Sequence, residues 1–249
     1  MSYSIPTYIH NANINTPVIR YIWDDTRVDE DFRYQCGDFD GLLSKLKNIS
    51  LHGRIVLGIG IYEWIIWRYH SLSDDPIPFQ LAESAWCANV NNEYGEYIEL
   101  DRDEYAGPVK APLWCAVTWL LPMVHFSDND DNEWQDGIDF LARLAMHILP
   151  ETKPFEQWLN TVVDRLMKMH PAPEDDPFED LFDDEHIEER RGPLVAREAL
   201  DPSFDYHPDQ APALLDNFLR SIDHSKNPFL RSPEELMELG IAHPYRVLG

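Results

Sequence analysis

The sequence predicts a mainly α fold, an irregular multi-helix globular bundle interrupted by a proline-rich acidic insertion. Three observations carry this. Apolar residues recur at helical spacing in segment after segment. No series of segments shows the two-residue alternation of a half-buried sheet. Residues 171–213 break the pattern with prolines and concentrated acid. At 249 residues, 44% hydrophobic and 12% aromatic, the chain is long and apolar enough for a real core. The expected organisation is a helical core over 1–171 with an extended N-terminal arm, an acidic insertion over 172–212, and C-terminal helices over 213–249 that pack back on the core as one domain.

Residues 1–17 read as irregular or extended. "PVIRYIWDD" (17–25) fits a short strand or a helical turn equally. In 39–50, Leu42, Leu43 and Leu46 share a face and favour a short helix. "LHGRIVLGIGIYEWIIWRYH" (51–70) is apolar nearly all round, the mark of a central buried helix; its β-branched residues and glycines leave a strand open for 54–62, but the run continues unbroken to Tyr69 and favours the helix. Residues 78–90 follow a proline start, 91–108 form a polar connection, and 110–126 form a second strongly apolar helix with Pro112 in its first turn. Residues 128–150 start acidic, where the helix dipole favours negative charge, and become amphipathic. In 153–170, Trp158, Leu159, Val162, Leu166 and Met169 share a face. A helical pattern returns at 213–223, and a last short helix starts at Ser232, with Pro233 first and Glu235 third.

The formal net charge of −25 bears on partners rather than fold. Such a chain repels nucleic acid and anionic membranes and attracts cations or basic proteins; its bland alternative is solubility. The longest apolar run, Ile55 to Trp67, contains Glu63 and two glycines and falls short of the roughly 20 residues that cross a bilayer. The N-terminus lacks the basic and apolar regions of a secretion signal. Cys36, Cys87 and Cys115 are odd in number and show no CxxC spacing. A reducing, cytoplasmic setting is expected, with no cofactor.

Motifs for chemistry are weak. Gly53, Gly58 and Gly60 do not make a dinucleotide fingerprint, because Glu63 stands where the third glycine belongs; small residues for close helix approach explain them. "DNDDNEWQDGID" offers Asp128, Asp130, Asn132, Asp136 and Asp139 at calcium-loop positions, but Glu133 replaces the turn glycine. An acidic helix start explains it better. In "DDEHIEE", Glu185 and Glu189 would share a helical face beside His186 and Glu188, yet no second histidine stands nearby. Cys87 and Cys115 each follow a Trp in apolar surroundings, which is core behaviour.

The densest feature is "PAPEDDPFEDLFDDEHIEERRGP" (171–193), with ten carboxylates between Glu174 and Glu189. Phe178, Leu181 and Phe182 sit among them at helical spacing. This stripe can pin an acidic loop to the core, or face outward as an aromatic anchor ringed by charge. The candidate partner-binding residues are Asp175, Asp176, Glu179, Asp180, Phe182, Asp183, Asp184 and Glu185.

With its acidity, its eight Trp, its lack of catalytic motifs and its ending "NPFLRSPEELMELGIAHPYRV", the chain resembles bacterial immunity proteins that neutralise toxins of contact-dependent or type VI secretion. The resemblance rests chiefly on Asn227-Pro228-Phe229-Leu230, Gly240 and Pro244-Tyr245. It implies a non-catalytic inhibitor of one cognate toxin, often a basic nuclease, whose active surface it covers. A metal-dependent hydrolase using Asp, Glu and His is the alternative, as is a non-catalytic acidic adaptor. The first needs two histidines and an acid to converge; the second needs binding without inhibition.

Overall fold

A computed structural model describes residues 4–25, 39–127, 131–173 and 191–247. Among the described residues nine α-helices follow in order: α1 (Thr7–Ala12), α2 (Asp40–Leu46), α3 (Leu51–Tyr69), α4 (Ile77–Ala88), α5 (Gly107–Phe126), α6 (Asp131–Ile148), α7 (Lys153–Met169), α8 (Ala211–Ser221) and α9 (Pro233–Glu238). Short 3-10 turns link them, and extended pairing among the described residues is limited to two isolated bridges, Ile49 to Pro171 and Gly95 to Leu230. The mainly α class expected from the sequence is the class observed.

Helix α3 is the axis. Ser50 caps it, its side chain accepting from the Gly53 N–H at 3.4 Å. All its residues but Arg54 are buried, because α4, α5, α6 and α7 surround it. Two glycines permit that crowding. A Cβ on Gly58 would collide with the Met123 thioether of α5, and one on Gly60 with Leu200. Arg54 lies over the Trp134 ring of α6 at 4.4 Å and donates to the Leu46, Ile49 and Lys47 carbonyls, which satisfies the C-terminal end of α2.

The amphipathic α7 matches its pattern: Trp158, Leu159, Val162 and Leu166 are buried, with Met169 partly so. The last helix also matches. Ser232 and Glu235 form a reciprocal capping box around Pro233. Leu236 then joins Cys87, Tyr94, Leu219, Leu230 and Tyr245 in a small satellite core.

Four expectations change. The N-terminal arm is not wholly irregular, since Thr7–Ala12 is helical. Residues 17–25 are neither strand nor helix; Thr16 and Val18 give their carbonyls to Arg68, which is fully buried and also donates to Ile148. Pro112 lies in the second turn of α5, not its first, because the helix begins at Gly107. Its missing N–H leaves the Pro108 carbonyl without a helical donor, and the Tyr21 hydroxyl donates there instead. Lastly, the second half of the proline-rich stretch is built into the core. Val195, Ala196, Ala199, Leu200 and Tyr206 are buried. Trp158 donates to the Leu200 carbonyl at 2.8 Å, and Arg165 to those of Asp201 and Phe204.

Helix α5 is the one described helix long and apolar enough to cross a membrane, with an 18-residue window of mean hydropathy 1.2, but 61% of that window is buried within the fold. A core helix passes the same test.

Candidate functional site: an acid-rimmed aromatic groove

Three groupings bring polar chemistry together. The first is internal. Glu63, fully buried in α3, forms an ion pair with Arg197 at 2.8 Å and accepts from Trp86 Nε1 at 3.0 Å and from the Tyr8 hydroxyl at 3.4 Å. Burial, and next the Glu63 charge, hold the Tyr8 phenol well above its ordinary pKa. Both carboxylate oxygens are occupied, so this group ties α1, α4 and the 197–200 turn to α3 rather than meeting a substrate.

The second grouping joins His52, His170 and Tyr206. His52 Nδ1 lies 2.8 Å from the Gly192 carbonyl, and His170 Nε2 lies 3.1 Å from the Tyr206 hydroxyl. Burial lowers the His170 pKa to about 4, helped by the neighbouring His52. Neutral His170 links the end of α7 to the 194–206 strap. Two histidines thus converge, but among the described residues no three His, Cys, Asp or Glu gather as a metal-binding group.

The third grouping faces outward. The polar connection after α4 runs beside α5 and leaves a groove of about 240 Å³. Tyr97, Leu100, Trp114, Leu121 and Pro122 give it apolar walls, and Glu99 and Thr118 open onto it. Tyr97 is 41% exposed and rests on Phe126, itself 40% exposed, with ring centroids 4.9 Å apart. Trp114 is fixed by its Nε1–H, which donates to the Leu100 carbonyl at 2.9 Å. Pro122 has no N–H, so the Thr118 carbonyl, four residues earlier in α5, lacks its usual helical donor.

Acids continue along the connection beyond Glu99. Glu99, Asp101, Asp103 and Glu104 are exposed. The Tyr97 phenol is raised above its ordinary pKa by partial burial, then by Glu99 and by Glu133 of α6, which places both carboxylates within electrostatic reach of its ring. His125, edge-on to Tyr97, has its pKa lowered to about 4, by burial and then by Arg231, and so adds no positive charge near neutral pH. Two cations stand close: Arg231 acts on His125, and Arg102 lies beside Trp114. Arg102 donates to the Asp25 carbonyl and lies over the Trp114 ring at 5.6 Å.

The eight residues singled out from the sequence, Asp175 to Glu185, lie outside the described residues, as do Phe178, Leu181, His186 and Cys36. The carriers of the family resemblance that the structure describes do packing work here. Asn227 is buried and donates to the Gln80 carbonyl and the Glu83 carboxylate. Tyr245 stacks on Tyr94 at 4.8 Å. Cys87 and Cys115 are buried as expected, and burial, then Glu83, pushes the Cys87 thiol well up, away from thiolate chemistry. The histidines divide. His52, His125 and His170 are interior, whereas His207 caps the 208–210 turn.

Sequence reasoning missed the groove, although "EYGEYIELDRDEY" interleaves aromatics and acids much as 178–185 does. It also passed over Glu63 and Arg68, whose signal was a charge inside an all-round apolar helix: such a group must find a buried partner. The chain matches no family model, no curated protein and no solved structure.

Proposed function

We propose that this chain is an immunity protein, a stoichiometric inhibitor that binds a basic bacterial toxin, such as a nuclease effector, and covers its substrate-binding surface. One observation carries the reading: a net charge of −25 is joined to a described groove where aromatic side chains stand beside Glu99 and Tyr97 feels the charge of Glu133 as well. An enzyme acting on phosphates must present Lys and Arg to them. An acidic protein occupies the same surface, associates quickly and excludes the anionic substrate. The acids of 175–185 add to that field, and a cytoplasmic location follows from the role, since the inhibitor must meet the toxin where the toxin acts. The hydrolase reading has less support, because the histidine pair joins no third ligand among the described residues.

The test is neutralisation. The product of the gene beside this one is expressed in a bacterial host with and without this chain. Rescue of growth, together with a 1:1 complex by light scattering, is the expected result. Toxicity that persists at excess inhibitor sinks the reading. A complex that leaves the partner fully active identifies an adaptor instead. Within a working complex, Asp183→Lys with Asp184→Lys is expected to slow association.

A further inference from the structure

We propose that the groove between α5 and residues 97–100 is an anchor site for an arginine or lysine side chain projecting from a basic protein segment. This rests on the reading of the chain as a binder of a basic partner, and adds the place and the chemistry of the grip.

Four features select that occupant. Size is the first. At about 240 Å³ the groove is smaller than the roughly 300–1,000 Å³ usual for small-molecule sites, and suits one or two side chains. The walls are the second. Tyr97 and Trp114 offer aromatic surface to a long side chain whose stem is apolar and whose head is charged. Arg102 already lies over Trp114, so this chain itself places a guanidinium on that ring. The third is Thr118, a polar residue on the groove whose carbonyl has lost its helical donor to Pro122. The fourth is the rim. Glu99 opens onto the groove and Glu133 acts on Tyr97 from the neighbouring helix, so a cation entering here meets negative potential from two elements. An anionic or purely apolar segment would gain the walls but not the charge of the rim. The arginine stem lies along Tyr97, and its head turns to Glu99.

A fluorescein-labelled nonapeptide with two arginines flanking a leucine is the probe, read by anisotropy against the full chain at low salt. Replacing both arginines by citrulline keeps shape and removes charge. The arginine peptide is expected to bind at least tenfold more tightly than the citrulline peptide. Tyr97→Ala and Glu99→Lys are each expected to weaken it tenfold or more, with unchanged circular dichroism. Glu151→Lys makes the same change of charge on a remote exposed residue, and is expected to alter binding less than twofold. Equal losses from Glu151→Lys and Glu99→Lys would mean attraction by net charge alone and overturn the proposal; so would full binding by Tyr97→Ala, or no binding at millimolar peptide. If toxicity is rescued but the peptide ignores the groove, the anchor falls and the inhibitor reading stands. If the peptide binds as described and toxicity is not rescued, the inhibitor reading falls and the anchor stands.

Discussion

Glu63 and Glu99 live in neighbourhoods made of the same four residue types. Around Glu63 stand Tyr8, Trp86 and Arg197; around Glu99 stand Tyr97, Trp114 and, over the indole, Arg102. The difference is saturation. Inside, each donor is turned onto the carboxylate, and the group is closed. Outside, the indole donates to a backbone carbonyl, the arginine donates to Asp25, and the carboxylate faces solvent. In a buried site an unpaired charge costs too much to keep, so the fold must complete the set. At the surface water substitutes for partners at little cost, so a set can stay open for another molecule. Residue type alone therefore does not separate a structural clamp from a binding site, whereas the direction of the donors does.

The comparison breaks most visibly at the closed set. Glu63→Leu removes the acceptor of Trp86 and leaves Arg197 without this ion-pair partner, so a loss of roughly 3–5 kcal/mol in unfolding free energy is expected. Because the Arg197 side chain is 25% exposed, some of its charge can rehydrate, and the low end is favoured. Combining Glu63→Leu with Arg197→Met should recover much of the loss, since the buried charge disappears with its partner. Urea denaturation of the four proteins makes the cycle; a loss below about 1 kcal/mol for Glu63→Leu, within the range of ordinary surface substitutions, would mean that the clamp is ornamental.

A middle-sized effect separates buried from exposed histidine. The folded-state pKa of His170 is about 4, below the roughly 6.5 of an unfolded chain. Between those values the unfolded state binds the extra proton, so His170 makes stability rise with pH through that window and adds no slope above it. Its full burial and its link to Tyr206 justify treating it as interior. A contribution on the order of 1–3 kcal/mol between pH 4 and pH 7 is expected. Replacing His170 by Gln should flatten the urea-midpoint profile over that range relative to the parent chain. An unchanged profile in the His170 variant would place its titration elsewhere.

How far the sequence revealed this molecule follows the same division. All-round apolarity located α3 and periodicity located α7, because burial imposes each, and the Ser232 capping box was legible because its partners are three residues apart. The clamp was not legible. Tyr8, Glu63, Trp86 and Arg197 are far apart in sequence, and only the packing of α1, α4 and the 197–200 turn on α3 joins them. The 194–206 strap looked like insertion because it falls within the proline-punctuated stretch 171–213, yet five small or apolar residues at irregular spacing bury it. The groove needed the polar connection to lie along α5, and no periodicity announces that.

The smallest effect is the sharpest probe of the comparison. If the outer set is open, its members contribute little to the fold. Glu99→Lys places a cation where Glu99 now faces solvent among other acids, so its effect on unfolding free energy should stay within about 0.5 kcal/mol. Its sign should be slightly favourable, since the charges of Glu99 and Glu133 both bear on Tyr97. Salt should then shrink the gain, as it screens exposed charges over roughly 10 Å at 0.1 M. Thermal denaturation at 20 mM and 300 mM NaCl measures both. A stabilisation that vanishes at high salt marks local repulsion relieved, which is the condition of a surface kept acidic at some cost to stability. A loss above 1 kcal/mol would instead make Glu99 a structural partner like Glu63, and the two neighbourhoods would no longer differ in kind.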